Sequence, residues 1–286
     1  MAVAIVTDST SDIEPHKANA AGITVVPLFV VFGDRSYKDY VELSRADFYE
    51  KLKTEPVLPI TSQPTAAMYE EAFGPLVAAG NEVLCIAISS HLSGTMNAAR
   101  AGAQRFPNAS ITIYDSQTVA AGLGMMVLRA RELAAGGAPV PAIVSELDRW
   151  RETQRLYACI PDLSHLQRTG RIGKAKAALG TLMKIVPVLA LKDGQVAAEA
   201  QVRTFARAQE TMLDLVLRGA PQPERARFVV VHTNAPQLAA DATAKLRERI
   251  GEKAPLLLEI WEAGPVIATH AGAGAVGAFA VTAAAE

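Results

Sequence analysis

The chain has few cysteines, almost equal numbers of acidic and basic residues, and no long apolar run. Each of these features excludes a class of protein. Its two cysteines, Cys85 and Cys159, stand far apart in apolar segments and show no CxxC or metal-type Cys/His spacing. We therefore expect buried, reduced thiols, with no disulfide and no zinc site. The 28 basic and 29 acidic residues leave a net charge of −1, which argues against nucleic acid as a partner because nucleic acids select a basic face.

Segments that direct a chain into or across a membrane are also missing. The N-terminus lacks a basic cluster and turns polar at Asp8, so we do not expect a signal peptide. The longest apolar run, residues 25–32, is too short to span a bilayer. Together with the reduced cysteines, these features predict a cytoplasmic protein.

Several catalytic motifs are absent as well. The sequence contains no GxSxG nucleophile elbow, no P-loop and no HExxH zinc motif. Residues 272–277 match the dinucleotide pattern GxGxxG, but only nine residues follow, too few for the helix, strand and acidic residue that such a site needs. We therefore expect no metal and no nucleotide cofactor, and we interpret these glycines as close backbone packing near His270.

Strands and helices alternate through the first half of the chain, which predicts a mostly parallel sheet covered on both faces. The predicted strands lie at 2–7, 23–32, 82–88 and 110–114. The predicted helices lie at 45–53 behind the capping Ser44, after Pro64, and at 94–106, 119–135 and 141–153.

The second half of the chain shows a pattern that is typical of a mixed sheet. The predicted strands lie at 156–160, 227–232 and 256–261, with a hairpin of strands 187–191 and 195–201 around Asp193-Gly194. The predicted helices lie at 204–218 and 236–250, and two short helices flank residues 169–173. The predicted fold is therefore α/β, with two α/β domains at 1–155 and 156–286.

Four segments rich in small polar side chains adjoin the apolar strands. They are residues 7–12, 61–65, 89–95 and 115–118. Ligands of open parallel sheets bind outside the carboxyl ends of the strands, and three of these segments stand at such ends. Ser93 is expected to cap the helix that follows residues 89–95, so that its hydroxyl and the helix amides form an anion site. Plain helix capping is the alternative for any one segment.

His270 is the histidine that we expect to be functional. It stands among small residues that let backbone or ligand approach closely. Ser93, Asp115 and His270 also occur in the chain order of an α/β-hydrolase triad. A serine-dependent acyl hydrolase or acyltransferase using Ser93 and His270 is therefore an alternative, although the nucleophile elbow is missing.

A set of basic residues marks the second half of the chain. Its members are Arg168, Arg171, Lys174, Lys176 and Lys184, with Arg203 just after the hairpin. A run of charge usually forms a solvated face, but Arg171 and Arg203 stand at element boundaries. An arginine fork at such a place suits a phosphate or an acidic partner.

Taken in order, these segments resemble the DegV family, the fatty-acid-binding (FakB) subunits of bacterial fatty acid kinase. The resemblance runs nearly end to end. It is carried by residues 6–12 (VTDSTSD), 61–64 (TSQP), 89–95 (SSHLSGT), 115–116 (DS), 170–173 (GRIG), 187–189 (PVL) with 193–194 (DG), Arg203 and 264–272 (GPVIATHAG). The chain departs from the family at Thr169, where glycine is common, and at Ala273, where proline is common.

The resemblance implies two α/β domains with a long-chain fatty acid in a tunnel between them, and no catalysis by this chain alone. It implies a partner, a separate ATP-dependent kinase that phosphorylates the carboxyl group to an acyl phosphate for phospholipid synthesis. The same resemblance implies a transient contact with the membrane. It also implies no cofactor besides the bound fatty acid.

The resemblance also implies roles for single residues. Thr61, Ser93 and His270 are expected to hold the carboxylate. Ser62 and Gly94 are expected nearby. Arg171 and Arg203 are expected to face the phosphoryl group or the kinase, and no residue of this chain is expected to be catalytic.

Overall fold

The computed structural model describes residues 2–178 and 185–282. The chain divides into two compact units, Met1–Arg151 with Gly264–Val266, and Glu152–Ala263 with Ile267–Glu286. The first unit contains a parallel sheet and the second a mixed sheet, so the predicted α/β fold class is confirmed. The sequence analysis sets one boundary at residue 155, whereas the structure groups Gly264–Val266 with the first unit.

Strands and helices alternate along the first part of the chain. The strands are β1 (Val3–Asp8), β2 (Ile23–Val26), β3 (Phe29–Phe32), β4 (Arg35–Lys38), β5 (Ile60–Ser62), β6 (Glu82–Ala87) and β7 (Ile111–Asp115). The helices are α1 (Pro15–Ala21), α2 (Arg45–Thr54), α3 (Ala66–Ala78), α4 (Thr95–Ala103), α5 (Ala121–Ala135) and α6 (Val140–Thr153). The sequence analysis did not predict α1, β4 or β5.

The second part of the chain is richer in antiparallel strands. Its strands are β8 (Arg155–Cys159), β9 (Val186–Lys192), β10 (Gln195–Val202), β11 (Ala226–His232), β12 (Leu257–Glu262) and β13 (Val276–Thr282). Its helices are α7 (Ser164–Arg168), α8 (Ala175–Ala178), α9 (Phe205–Gly219), α10 (Pro236–Ile250) and α11 (Pro265–Ala271). The sequence analysis did not predict α11 or β13.

The parallel sheet of the first unit has the strand order β2-β1-β6-β7. The central strands β1 and β6 are apolar along most of their length because helices cover both faces of such a sheet. Leu84 and Ile86 of β6 are fully buried, as are Tyr69 and Phe73 of α3. This core holds the carboxyl ends of β1, β6 and β7 side by side.

One predicted strand, residues 23–32, is wrong. The structure breaks it into β2, in the parallel sheet, and β3, in a separate three-stranded antiparallel sheet of order β4-β3-β5. Pro27 lies at the break and has no N–H for a sheet ladder. The next N–H, of Leu28, is bound by the Ser9 hydroxyl at 3.0 Å, so the chain leaves the first sheet here.

The sheet of the second unit has the order β10-β9-β8-β13-β11-β12, and within it only β11 and β12 pair in parallel. The predicted β9–β10 hairpin is confirmed, and its turn residues Asp193 and Gly194 have φ of 50° and 74°. Helices α9 and α10 pack Met212 and Leu246 into a core with Phe228 of β11.

Two further expectations concern the cysteines and the membrane. Cys85 and Cys159 are both free and buried, as expected, and burial raises the pKa of the Cys159 thiol to about 12. Within the described part of the chain, no helix combines the length and the apolar character needed to cross a bilayer.

Candidate functional site

Three of the predicted polar segments meet at the carboxyl edge of the parallel sheet. The Asp8 carboxylate, at the end of β1, accepts a hydrogen bond of 2.8 Å from the N–H of Ile88, just beyond β6. The Asp115 carboxylate, at the end of β7, accepts bonds from the Ser90 hydroxyl at 2.5 Å and the Ser90 N–H at 3.3 Å. The expectation that these segments share one edge is therefore confirmed.

The fourth polar segment adjoins this edge through Gln63. The segment begins on β5, where Thr61 pairs with Val30 of β3. The Gln63 side chain lies over Gly94, since a Cβ added to Gly94 would come within 1.8 Å of the Gln63 Oε1 atom. The segment that contains Thr61 and Ser62 is thus brought to the turn that contains Ser93 and Gly94.

The prediction that Ser93 caps helix α4 is wrong by one residue. The cap position is Gly94, which has no side chain to bind the helix amides. The Ser93 hydroxyl instead accepts a bond of 3.2 Å from the Thr95 N–H and lies 2.8 Å from the Thr95 hydroxyl. A serine one position before the cap still satisfies one amide of the first turn, so Ser93 remains at the positive end of the helix.

The other candidates of the first unit differ in their surroundings. Ser62 is exposed, and among the described residues its hydroxyl reaches only the Gln63 carbonyl oxygen, at 3.5 Å. Thr61 is half-buried. Asp115 is occupied by Ser90 and by the N–H of Gln117 at 3.0 Å, so its bonds are those of a turn-stabilising aspartate.

His270 lies in the last turn of α11, in the second unit, and its ring is uncharged. Its Nδ1 atom is 2.8 Å from the hydroxyl of Thr169, at the end of α7. Burial is the main cause that lowers the pKa of His270 to about 3, and the charges of Arg171 and Arg168 lower it further. A ring with this pKa is neutral at physiological pH.

The basic residues differ in their surroundings. Arg171 is half-buried, and its Nη1 atom donates a bond of 2.5 Å to the Thr169 carbonyl oxygen, so it belongs to the group around His270. Arg203 is exposed one residue beyond β10. No hydrogen bond between described residues ties it to that group. Lys184 lies outside the described residues.

The sequence analysis missed two features of these sites. Thr169 is a departure from the family pattern, yet its hydroxyl binds His270. Asp12 and Asp39 are buried together, and burial raises the pKa of Asp12 to about 7 and that of Asp39 well above its usual range. Only the density of small polar residues at 7–12 signals this acidic pair, because Asp39 stands in an unremarkable stretch.

The described residues include no group of three or more His, Cys, Asp or Glu side chains suited to a metal ion. The glycines of the 272–277 pattern serve close packing. A Cβ on Gly272 would lie 3.0 Å from the His165 ring, and one on Gly277 would lie 3.0 Å from a Val231 methyl group and 3.1 Å from the Tyr157 carbonyl oxygen. The interpretation of these glycines as packing residues is confirmed.

Comparison with known proteins gives matches over the whole chain. The model of the DegV family of uncharacterised proteins matches residues 2–283. A DegV domain-containing protein of Halalkalibacterium halodurans is 37% identical over 277 residues, 96% of each chain, and one of Deinococcus radiodurans is 38% identical over 277 residues, 97% of each chain.

Solved structures agree with this assignment. A DegV family protein from Thermus thermophilus, described for its fatty acid binding, has a TM-score of 0.90 and 34% identity, covering 99% of this chain and all (100%) of the other. DegV of Bacillus subtilis, described as a fatty acid binding protein, has a TM-score of 0.88 and 31% identity, with the same 99% and 100% coverage. On this full-length agreement of sequence and fold, the chain belongs to the DegV family.

Proposed function

We propose that this protein binds a long-chain fatty acid without forming a covalent bond and presents its carboxyl group to a separate ATP-dependent kinase. The observation that carries the proposal is the full-length similarity to two proteins that are described as binding fatty acids. The kinase phosphorylates the carboxyl group to an acyl phosphate, which then enters phospholipid synthesis. A transient contact with a membrane supplies the ligand.

Thr61, Ser93 and His270 hold the carboxyl group in this proposal, with Ser62 and Gly94 beside them. A buried polar head group costs several kcal/mol if it loses its water without new partners. Hydroxyls, an imidazole and the amides at the start of α4 are suitable replacements. The contact of Gln63 with Gly94 supports this assignment within the first unit, because it joins two of the segments involved.

The acyl tail supplies most of the affinity. Each buried methylene contributes roughly 0.8 kcal/mol, so a chain of about fourteen gives a gross ~11 kcal/mol before association losses. The head group therefore decides the orientation of the ligand, and the tail decides how tightly it is held.

Arg171 and Arg203 serve the phosphoryl group or the kinase surface. Guanidinium groups bind phosphate in a bidentate manner. Arg171 lies in the loop between α7 and α8, and Arg203 stands one residue beyond β10. The exposure of Arg203 suits a contact with a partner.

The serine hydrolase alternative finds little support in the described contacts. In a triad, the serine bonds a histidine whose other nitrogen bonds a carboxylate. Here the described bonds of the Ser93 hydroxyl go to Thr95, within its own turn, and those of the Asp115 carboxylate go to Ser90 and to the Gln117 N–H.

Mass spectrometry of the purified protein, first native and then denatured, tests the proposal. We expect an added mass of a long-chain fatty acid in the native spectrum that disappears on denaturation. A covalent acyl adduct that survives denaturation, together with labelling of Ser93 by a fluorophosphonate, would instead establish the hydrolase alternative. A protein that is empty and takes up no added palmitate would refute both.

The kinase part of the proposal needs its own experiment. The loaded protein is incubated with ATP and a candidate kinase, and acyl phosphate is trapped with hydroxylamine. We expect product only when protein, fatty acid, kinase and ATP are all present. Product formed without the kinase would show that this chain is itself the enzyme.

A further inference from the structure

Three exposed apolar side chains lie close together in the chain between α2 and β5. Val57 is 58% exposed, Leu58 40% and Ile60 52%. We call this segment, residues 56–60, the apolar tip. The other large apolar side chains that are well exposed among the described residues are Val41, Leu256 and Ile260.

Two prolines fix the backbone of the apolar tip. Pro56 disfavours a helical backbone at the residue before it, and Glu55 accordingly has φ −78° and ψ 133°, which ends α2. Pro59 is buried between the exposed Leu58 and Ile60, so it anchors the segment. Neither proline has an N–H that would need a partner away from water. The apolar tip is therefore stiff and carries fewer backbone donors into an apolar medium.

The register of the small antiparallel sheet places the apolar tip beside a hairpin turn and next to the proposed ligand site. Ile60 of β5 pairs with Val31 of β3. The turn at residues 33–34, which joins β3 to β4, lies at the same end of the sheet. Thr61, which is proposed to hold the carboxyl group, directly follows the apolar tip.

The charged side chains around the apolar tip cancel one another. The Nζ atom of Lys53 lies 2.8 Å from the Glu50 carboxylate. The Nζ atom of Lys51 lies 3.8 Å from the Glu55 carboxylate. The hairpin turn adds one charge of each sign at residues 34–35. No excess of positive charge is therefore present here to attract anionic lipids.

We propose that the apolar tip inserts into the surface of a lipid bilayer, and that the protein takes up its fatty acid through this contact. The proposal rests on the proposed function, in which a membrane supplies the ligand. The three side chains expose on the order of 250 Å², whereas each partner of a standard protein interface buries about 800 Å². This area falls short of a stable protein complex but suits a weak, reversible insertion into a lipid surface.

Tryptophan fluorescence measures insertion without any fatty acid. The native Trp150 and Trp261 are 2% and 8% exposed, so a tryptophan added at the apolar tip dominates the response to lipid. Delipidated, full-length Val57→Trp is titrated with phosphatidylcholine vesicles, with and without brominated acyl chains. We expect a blue shift and quenching by the brominated lipid. Val41→Trp, beyond the other end of β4, should show neither. A Val57→Trp emission that ignores the vesicles would overturn the proposal.

Co-sedimentation with the same vesicles shows whether the native side chains are responsible. Val57→Ser/Leu58→Ser should bind at least about tenfold more weakly than the wild type, because each methylene removed from lipid costs about fourfold in partition. Val41→Ser/Leu256→Ser removes the same two residue types outside the apolar tip and should bind as the wild type does. Equal binding of Val57→Ser/Leu58→Ser and the wild type would contradict the proposal. So would a wild type that binds only phosphatidylglycerol vesicles at low salt.

Uptake of palmitate separates this proposal from the proposed function. Val57→Ser/Leu58→Ser should bind palmitate delivered from cyclodextrin as the wild type does, but take it up from vesicles more slowly. A wild type that inserts into vesicles but binds no palmitate from either source refutes the proposed function and leaves the membrane contact established. A variant that takes up palmitate from vesicles at the wild-type rate, and loses only turnover with the kinase, would make the apolar tip a protein contact and the proposal wrong.

Discussion

Asp12 binds a residue that lies 252 positions later in the chain: its Oδ1 atom accepts a hydrogen bond of 2.8 Å from the N–H of Gly264. Gly264 immediately precedes α11, so this bond holds the start of the helix that carries His270. The Tyr40 ring packs on Gly264, and Arg45 donates to the Tyr40 hydroxyl at 3.1 Å. A buried polar cluster thus ties residue 264 to the first unit.

The acidic members of this cluster make stability depend on pH. Burial raises the pKa of Asp12 from 3.8 to about 7, against the opposing influence of the Gly264 N–H and the Arg45 charge. Asp8 and Asp39 also have raised pKa values, mainly through burial. Between about pH 4 and about pH 7, the Asp12 carboxyl group keeps its proton in the folded protein and has lost it in the unfolded chain. The free energy of unfolding therefore falls as pH rises across this range.

We therefore expect Asp12→Asn to lose less stability between pH 5 and pH 8 than the wild type, by an upper bound of roughly 3 kcal/mol. Asparagine keeps the acceptor for Gly264 and tolerates the left-handed backbone of Asp12, at φ 54°. Urea unfolding at the two pH values measures the difference. The exposed Asp34→Asn is the control, and it should follow the wild type. Parallel pH profiles for all three proteins would show that Asp12 does not titrate in this way.

Gly264→Ala should destabilise the protein. The new Cβ would lie 2.6 Å from the Tyr40 ring, which Arg45 covers on one face, so the ring has little freedom to move away. We expect a loss of about 1–3 kcal/mol, as is usual for overpacking, in thermal or urea unfolding. Gly74→Ala in α3 is the control. Its Cβ would meet only the Phe106 ring at 3.7 Å, and alanine favours a helix, so no loss is expected.

Gly94→Ala should leave stability within about 1 kcal/mol of the wild type but weaken fatty acid retention. The flexible Gln63 side chain yields to the new methyl group and leaves its position over the start of α4. Retention of ¹⁴C-palmitate measures the effect. If the displacement of Gln63 causes the weaker retention, the double variant Gly94→Ala/Gln63→Ala should retain no less palmitate than Gln63→Ala alone. An additive loss would point to the Gly94 backbone itself.

Ser93→Ala and His270→Ala should each weaken palmitate binding by about tenfold, the usual effect of one lost hydrogen bond to a polar head group. Binding is followed by titration of delipidated protein with a fluorescent fatty acid. Ser62→Ala is the comparison, since the exposed Ser62 hydroxyl has, among the described residues, a single contact, of 3.5 Å with the Gln63 carbonyl oxygen. Unchanged binding and unchanged phosphorylation in both main variants would remove these residues from the site.

Arg203→Ala should impair acyl phosphate formation more than fatty acid binding. The residue is exposed and, among the described residues, makes no ion pair, so its loss should barely affect stability. Kinase-coupled turnover and palmitate binding are measured on the same preparation. Arg207→Ala, exposed in the first turn of α9, is the charge-matched control. Equal losses of turnover and binding in Arg203→Ala would indicate a structural role.

Features that depend on near neighbours in the chain could be predicted from the sequence. Ser44 caps α2 by accepting from the Asp47 N–H at 3.1 Å, and Asp193-Gly194 turns the β9–β10 hairpin, both as expected. The polar segments after β1, β6 and β7 meet at one edge because parallel strands in register must end together.

Other features required the tertiary structure. Periodicity alone predicts one long strand over residues 23–32, because the apolar pattern is the same whether these residues lie in one sheet or in two. The structure breaks this strand at Pro27. Gly94 occupies the N-cap position of α4 that the sequence analysis assigned to Ser93, because capping depends on the backbone angles of a single residue.

The sequence by itself determined the α/β class, the hairpin, the helix caps set by local hydrogen bonds and the chemical types available to a site. Only the tertiary structure decided that Asp12 holds Gly264 and that Thr169 holds Nδ1 of His270. Each of these bonds joins residues about a hundred or more positions apart, and no local pattern encodes such a pairing. Packing selects the partner because a buried polar group that lacks one costs about 1–3 kcal/mol, a large share of a net stability of about 5–15 kcal/mol.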